Sequence, residues 1–541
     1  MLTIPFLAGK SFRKHGENKA MGFVGEEVIT YNRLESRIRS VMRLLEDYSV
    51  KPGDRVAIIS SSMPNWGAAY FAITSMGAVA VPVLPDFTPG EIANVLDHSG
   101  AKALFVSGNL TQKIADYRSP NLETVISVDD FSVTFGSNGN SYHEGAMPLN
   151  KYNVAEEDLA VIIYTSGTTG KSKGVMLTHK NIAWTARQVM TIQHVVESDV
   201  FLSILPLSHT YEQTLGLVLP VFNGAMIWYL RKAPTPSVLL PALKEVRPTT
   251  MLTVPLIMEK VYFGKVAPTF NKNRVMATLY RTPLFRRLLN RVAGRKIYEA
   301  FGGRLRFFGI GGAKLNPTVE QFLLDAKFPY AIGYGLTETS PLLAGTVVGT
   351  CRLGSTGPAM QGVTLRINNP DPVTGEGEVW ARGENVMKGY YREPAMTAEV
   401  MTPDGWFRTG DLGVIDRNNY LVLKGRLKNM IVGSSGENIY PEEIESVIND
   451  FSHVIESLVV QKKGKLVAMV HVNLEELQAR YAQMKKDFSD QAEQIINEYL
   501  GELQRYVNSR VNRYSQLQLV VYQPEPFQKT ATLKIKRFLY Y

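Results

Sequence analysis

Cysteine is nearly absent. The 541 residues include one, Cys351, so no internal disulfide can form. The eight histidines are scattered with no HxxxH spacing, and no CxxC occurs, so no zinc site is legible. Long unbroken apolar runs are also missing. No charge occurs from Val56 to Pro85 or from Gln213 to Leu230. Pro64, Gly67, Gly77 and Pro82 interrupt the first stretch, and Gly216, Pro220 and Gly224 the second. A membrane-spanning helix needs about 20 continuous apolar residues, so each stretch reads as a buried helix, a turn and a core strand such as AVAVPVL. The opening MLTIPFLAGKSFRKHG has too short an apolar core for a secretion signal and no small-residue cleavage site. A reducing, cytoplasmic setting is expected. With 44 glycines and 28 prolines nothing is collagen-like, and 45% hydrophobic against 20% charged residues excludes wholesale disorder.

Acid is scarce in one place. Residues 270–306 hold Lys272, Arg274, Arg281, Arg286, Arg287, Arg291, Arg295, Lys296, Arg304 and Arg306 against the single acid Glu299. The net charge of the whole chain is +9, so this window accounts for all of it. A local basic surface speaks of one partner and not of general nucleic-acid affinity, so no nucleic-acid partner is expected.

At about 150 residues per domain, the length suggests three or four domain-sized units, or two with one large. RVAIIS (55–60) reads as a strand, MPNWGAAYFAITSMG as a helix closed by Gly77, AVAVPV as a strand, TPGEIANVLDHSG as a helix with Pro89 in its first turn, and KALFVS as a strand. This alternation predicts a parallel sheet with helices on both faces, and it recurs at 200–260 and 304–332. After about 350, Gly, Pro and short alternating strands predict a small barrel or antiparallel sheet. Near Gly425 the texture changes again, and a Gly/Ser-rich loop leads into a helix opening at Pro441 with acids in its first turn. The expected class is α/β. A large domain, 1–425, combines stacked βαβ sheets with a small barrel-like part at about 350–425. A smaller α+β domain, 426–541, follows. Residues 474–513 read as helical and charged.

The densest chemical signal is YTSGTTGKSKGVMLTH (164–179), which follows the strand LAVIIY. Small and hydroxyl residues let backbone N–H groups and hydroxyls close around phosphate oxygens. The loop is expected between a buried strand and a helix; the plain alternative is a flexible surface loop. It is not a Walker A loop, because Thr165 stands where the first glycine is required. The segment resembles the phosphate-binding signature of the adenylate-forming enzymes, which include acyl-CoA synthetases, luciferases and amino-acid adenylation domains. Ser172 stands where proline is common. Further motifs of that family follow in order across nearly the whole chain: LPLSHTYEQTLG (205–216), FFGIGGAKL (307–315), YGLTETSP (334–341), RTGDLG (408–413), GRLKNMIVGSSGENIYPEEIE (425–445) and KTATLKIKRFLY (529–540). The likeness is greatest to bacterial long-chain fatty acyl-CoA synthetases, Glu212 being one such mark.

The resemblance implies roles for particular residues. Thr165, Ser166, Gly167, Thr168, Thr169, Gly170 and Lys173 would hold the β- and γ-phosphates of ATP. His209 would lie beside the acyl-adenylate. Gly311, Gly312 and Ala313 would line adenine, with Ile310 where serine is usual. Tyr334 would stack on adenine beside Gly335, Thr337 would bond the α-phosphate, and Glu338 would hold Mg²⁺. Asp411 and Arg426 would hold the ribose. Lys428 would be a hinge about which the small domain swings, Gly436 would face the pantetheine arm of coenzyme A, and Lys534, preceded by Leu533 in place of glycine, would be the catalytic lysine.

The implied reaction joins a medium- or long-chain fatty acid to AMP with loss of pyrophosphate, then moves the acyl group to coenzyme A. Two alternatives stand beside it: transfer to an acyl carrier protein, and a non-catalytic fatty-acid-capturing protein at a membrane surface. RPTTMLTVPLIMEKVY (247–262) resembles a wall of the acyl pocket and is expected to be apolar, without a buried acid. LFRRLLNRV, inside the basic window, is expected to be either a peripheral contact with the inner face of a membrane or a solvated basic face meeting CoA phosphates.

Overall fold

The computed structural model describes residues 1–136, 147–166, 172–270, 274–432, 437–462, 464–477, 492–530 and 534–541. Arg55–Ile59, Val79–Val83 and Ala103–Val106 are strands, separated by helices Pro64–Ser75 and Pro89–Ser99. Thr88 and Glu91 form a capping box on the second helix, Pro89 occupies its first turn, and Gly100 closes it at φ 61°. The three strands pair in parallel with Arg55–Ile59 in the middle, as the alternation requires.

They belong to an eight-stranded sheet that runs in the order Gly389–Tyr390, Ser172–Thr178, Leu159–Ser166, Val79–Val83, Arg55–Ile59, Ala103–Val106, Thr124–Ser127, Val133–Phe135. A second eight-stranded sheet runs Ala344–Gly345, Tyr330–Tyr334, Phe307–Ile310, Thr250–Thr253, Val200–Ser203, Met226–Tyr229, Lys19–Phe23, Val28–Thr30. Its parallel centre is built from the 200–260 and 304–332 alternations. Helix Pro64–Ser75 touches strands of both sheets and buries every residue except Asn65. An apolar stretch without a polar face is therefore the filling between two sheets, not a membrane segment. Among the described residues no helix is long and apolar enough to cross a membrane.

Two expectations are corrected. The phosphate-loop motif does not run from a strand into a helix. Leu159–Ser166 and Ser172–Thr178 are antiparallel partners, with Thr165 opposite Lys173, and the helix His179–Gln188 starts only after Thr178. The alternation in SKGVMLT, which buries Val175 and Leu177, favours a strand. The segment 247–262 also carries an acid: Glu259 is half-buried, and its Oε1 accepts the Asn316 N–H at 3.1 Å.

After the sheets comes a four-stranded antiparallel sheet: Thr364–Asn368, Gly377–Arg382, Phe407–Ile415, Leu421–Arg426. Its last strand crosses the expected boundary, since Arg426 still pairs with Asp411. Lys428 lies in the single turn Leu427–Asn429 that follows, exposed to solvent. The small domain has its own core. The hairpin Val454–Lys462 and Lys465–Val472 and the strand Leu519–Tyr522 pack on helices Pro441–Asn449 and Ala492–Asn508 through Ile444, Ile448, Leu503 and Val507. Part of 474–513 lies outside the described residues, as does Gly436.

Candidate active site

Parallel strands deliver their C-terminal loops to one edge of a sheet, where ligands of such sheets bind. Four adjacent strands of the second sheet end in the motif segments. Ser203 leads to His209, Thr253 to Val254, Ile310 to Gly311–Ala313, and Tyr334 to Thr337 and Glu338. Topology thus gathers segments far apart in sequence. Gly312 sits at φ 86°, a conformation costly for any residue with a Cβ. At Gly335 there is no room for one: a Cβ would lie 1.8 Å from the carbonyl oxygen of Pro341. The loop therefore folds tightly on itself. Leu336 N–H donates to Thr339 Oγ1 at 2.9 Å, and buried Asn385 donates to the carbonyls of Thr339 and Leu342 at 3.2 and 2.7 Å.

Glu338 is held from the first sheet. The Tyr390 hydroxyl donates to its Oε1 at 2.9 Å, and the Lys173 ammonium lies 4.9 Å from the centre of the Tyr390 ring. Tyr390 pairs through its strand with Val175. One tyrosine thus ties the root of the phosphate-loop hairpin to the proposed metal-holding carboxylate. Gly167, Thr168, Thr169 and Gly170 lie outside the described residues, as does the Ser166 side chain; Thr165 and Lys173 frame the hairpin beneath them.

Asp411 is the hub of the opposite wall. The Tyr334 hydroxyl donates to its Oδ2 at 2.6 Å, and Arg426 Nε donates to its Oδ1 at 2.8 Å. Burial raises the pKa of Asp411 even against the nearby Arg426 charge, and Asp411 in turn helps keep the guanidinium protonated. A carboxylate has about four acceptor positions, so two remain for a ligand.

Lys534 arrives from the small domain. The tail bearing it is a narrow hairpin: Lys529 bridges Ile535, Thr530 N–H donates to the Lys534 carbonyl at 2.8 Å, and Arg537 pairs with Glu445. Phe527 is buried under it, with Tyr540 edge-on at 5.1 Å. Lys534 itself remains exposed, yet it feels Arg426, Asp411 and Glu338. Desolvation and Arg426 lower its pKa, against the two carboxylates. It also acts on His209. Burial first, then the Lys534 charge, pulls that imidazole down to about 4, with Asp86 opposing, so it is neutral near pH 7.

His209 caps an unusual turn. Its carbonyl accepts Gln213 N–H at 2.8 Å, and Glu212–Val218 winds as a π-helix, a form that often marks functional sites. Within it Glu212 is 1% exposed and accepts Ser203 Oγ at 2.5 Å; burial pushes its pKa up to about 8.

The structure thus brings Lys534, His209, Glu338, Asp411, Arg426 and Tyr334 to one cleft, with Thr337 beside Glu338. Sequence reasoning missed Tyr390, Asn385 and Asp86. The pair in MKGYYREP was the one visible signal for Tyr390, a glycine at φ 143° followed by two aromatics.

No group of three or more His, Cys, Asp or Glu among the described residues could cage a metal alone. Glu338 fits Mg²⁺ differently. It offers a hard oxygen donor with one oxygen held by Tyr390, and Mg²⁺ is commonly bound by one or two carboxylates plus substrate phosphates.

Residues 10–391 match the family described as AMP-binding enzyme. The chain is 29% identical to long chain acyl-CoA synthetase 1 of Arabidopsis thaliana, over 98% of this chain and 89% of that one. It is 28% identical to 3-[(3aS,4S,7aS)-7a-methyl-1,5-dioxo-octahydro-1H-inden-4-yl]propanoyl:CoA ligase of Rhodococcus jostii, over 85% of each. The fold matches O-succinylbenzoate coenzyme A synthetase of Bacillus subtilis, solved with ATP and magnesium ion, at a TM-score of 0.77, 23% identity and 98% coverage of both chains.

Proposed function

The chain belongs to the AMP-binding enzyme family, and on that premise we propose that it activates a fatty acid with ATP and passes the acyl group to coenzyme A. The observation that carries this reading is the convergence of Lys534 on Asp411, Glu338 and His209 from the far end of the chain. A carboxylate is a poor electrophile because oxide would have to leave. The substrate carboxylate attacks the α-phosphorus of ATP, the bond to pyrophosphate breaks, and acyl-AMP results. Negative charge gathers on phosphate oxygens, so the task is positioning and cationic stabilisation.

Lys534 supplies the mobile charge. Phosphate charge favours its ammonium form, against the desolvation that lowers its pKa. Asp411 and Arg426 hold the ribose, Tyr334 stacks on adenine, and the loop from Thr165 to Lys173 grips the outer phosphates. Glu338 would hold Mg²⁺, which would neutralise phosphate charge when bound. Neutral His209 lies beside the acyl carbonyl without adding a charge. In the second step the thiol attacks that carbonyl and AMP leaves, after the small domain turns about Lys428 and brings the face near Gly436 to the site.

A fatty substrate is supported by the whole-length similarity to a long-chain synthetase and by the Glu212 mark. Glu212 is held protonated near pH 7, so it presents no buried charge to an acyl chain.

The test is ATP–pyrophosphate exchange over acetate to stearate, benzoate and amino acids, with and without coenzyme A. Exchange peaking with a fatty acid, and AMP release that requires coenzyme A, is the expected result. Exchange without acyl-CoA would assign the acyl group to a carrier protein. Absent exchange in protein that still binds fatty acid would replace the enzyme with a capture protein.

A further inference from the structure

The basic window includes helices Arg274–Arg281 and Pro283–Ala300. The second is docked by one face. Gly294 abuts Ala326, where a Cβ would stand 2.5 Å from the Ala326 Cβ. Fully buried Asn290 donates to Asp325 Oδ2 at 3.0 Å, Arg286 Nε donates to the same oxygen at 2.9 Å, and the Tyr280 hydroxyl donates to Asn290 Oδ1 at 2.9 Å. This network fixes the rotation of the helix about its axis.

The opposite face is apolar and open. Leu284, Leu288 and Val292 recur at i, i+4 and i+8 with exposures of 74, 58 and 54%; Phe285 lies beside them at 45%, and Val275 of the preceding helix is 71% exposed. By helical spacing, Arg291 flanks this stripe on one side and Lys296 on the other, while Arg295 falls within it. Among the described residues Arg281, Arg291 and Lys296 make no ion pair, and Arg295 pairs only with Glu299 one turn on, at 3.1 Å. A helix of 18 residues is about 27 Å long, too polar to cross a bilayer yet long enough to lie along one.

We propose that Pro283–Ala300 seats the protein flat on an anionic bilayer surface, with Leu284, Phe285, Leu288 and Val292 among the upper acyl chains and Arg291, Arg295 and Lys296 on lipid phosphates. Charge complementarity selects this occupant. The window carries ten basic residues against one acid, and anionic leaflets attract such segments. The exposed apolar edge, at helical period and rimmed by cations, is the form that interfacial helices take. An acidic protein would satisfy the arginines and leave that edge without a matching surface. Use of this seat to load substrate from the membrane rests on the proposed function; the binding itself does not.

The experiment is sedimentation of the full chain with vesicles of phosphatidylcholine alone or with about 30% phosphatidylglycerol, at low and at roughly 0.5 M salt. Binding is expected to the anionic vesicles only, and to weaken with salt. Leu284→Glu with Leu288→Glu, and separately Arg291→Glu with Lys296→Glu, are each expected to lower it at least about tenfold. Thermal melts and exchange with octanoate in vesicle-free buffer are expected to stay unchanged, because all four side chains face solvent.

The proposal is overturned if wild type ignores anionic vesicles, if neutral vesicles bind it equally well, or if both variants sediment undiminished. It is equally overturned if an acidic carrier protein binds this face while vesicles do not. Vesicle binding through these residues in a protein that activates no acid would refute the proposed function and leave the surface standing.

Discussion

The two sides of the cleft are held in different ways. Tyr334 and Arg426 are joined to Asp411, and Tyr390 to Glu338, by direct hydrogen bonds of 2.6–2.9 Å, all within the large body. Lys534 reaches over from the small domain, exposed, and acts through its charge without a direct ion pair among the described residues. The contacts that keep its domain there are polar. Asn316 donates to Asp450 at 2.5 Å and the Tyr440 hydroxyl to Glu376 at 2.7 Å. Polar interfaces of this kind separate at little cost, because water replaces each bond. The contrast teaches that the wall proposed to hold the nucleotide is built in, whereas the charge proposed for catalysis depends on where a domain lies.

Removing the conditional charge is the strongest test of that contrast. Lys534→Ala is expected to lower acyl-adenylate formation by about 10²–10³-fold, the usual loss when a group placed for transition-state charge is removed. ATP affinity by calorimetry and thiolysis of supplied acyl-AMP should change far less. Equal loss in all three would break the comparison.

A second test probes the body apart from the moving domain. The pKa of Glu212 is raised in the fold, so the native state keeps a proton that the unfolded chain releases. Stability from this group is present below the ordinary carboxylate pKa and is lost as pH rises toward about 8. Glu212→Gln is expected to flatten that fall, gaining on the order of 2–3 kcal/mol over wild type at pH 8. Urea midpoints at pH 5.5 and 8 measure it.

Asp411→Asn weakens the built-in wall. It leaves Arg426 without its partner, and because that guanidinium is partly solvated the expected loss is about 2 kcal/mol, below that of a fully buried pair. A raised KM for ATP should accompany it, unlike Lys534→Ala. The smallest effect is expected from the interface. Asp450→Ala removes the bonds to Asn316 and Thr318, worth about 1 kcal/mol. Adenylation should fall severalfold while thiolysis holds or quickens. Equal slowing of both half-reactions would mean that the contact supports folding and not domain position.

Much of this was readable in advance where the physical signal is local. The βαβ alternation, the Thr88 cap, the Gly100 stop and the Pro441 helix start all depend on residues a few positions apart. The phosphate-loop segment was misplaced between strand and helix because a Ser/Gly-rich turn looks alike before either element. The alternation in SKGVMLT is what marks the strand. Tyr390, Asn385 and Asp86 leave little local signal, because their role is contact with segments distant in sequence. Glu259 stands inside an apolar run, and its partner Asn316 is distant in sequence, so no local pattern predicts their contact.

The sequence by itself determined the α/β class, the order of the motifs and the residue types able to hold a nucleotide and a cation. These follow from periodicity, from glycine and proline geometry, and from the chemistry of side chains. Tertiary structure alone decided that Lys534 meets Asp411 and Glu338, that Tyr390 braces the Glu338 carboxylate, and that Leu284 and Leu288 face outward instead of joining the core. The first two require distant segments to pair. The third turns on which helix face Asn290 and Asp325 claim, and helical spacing in the sequence names two faces without saying which one is buried.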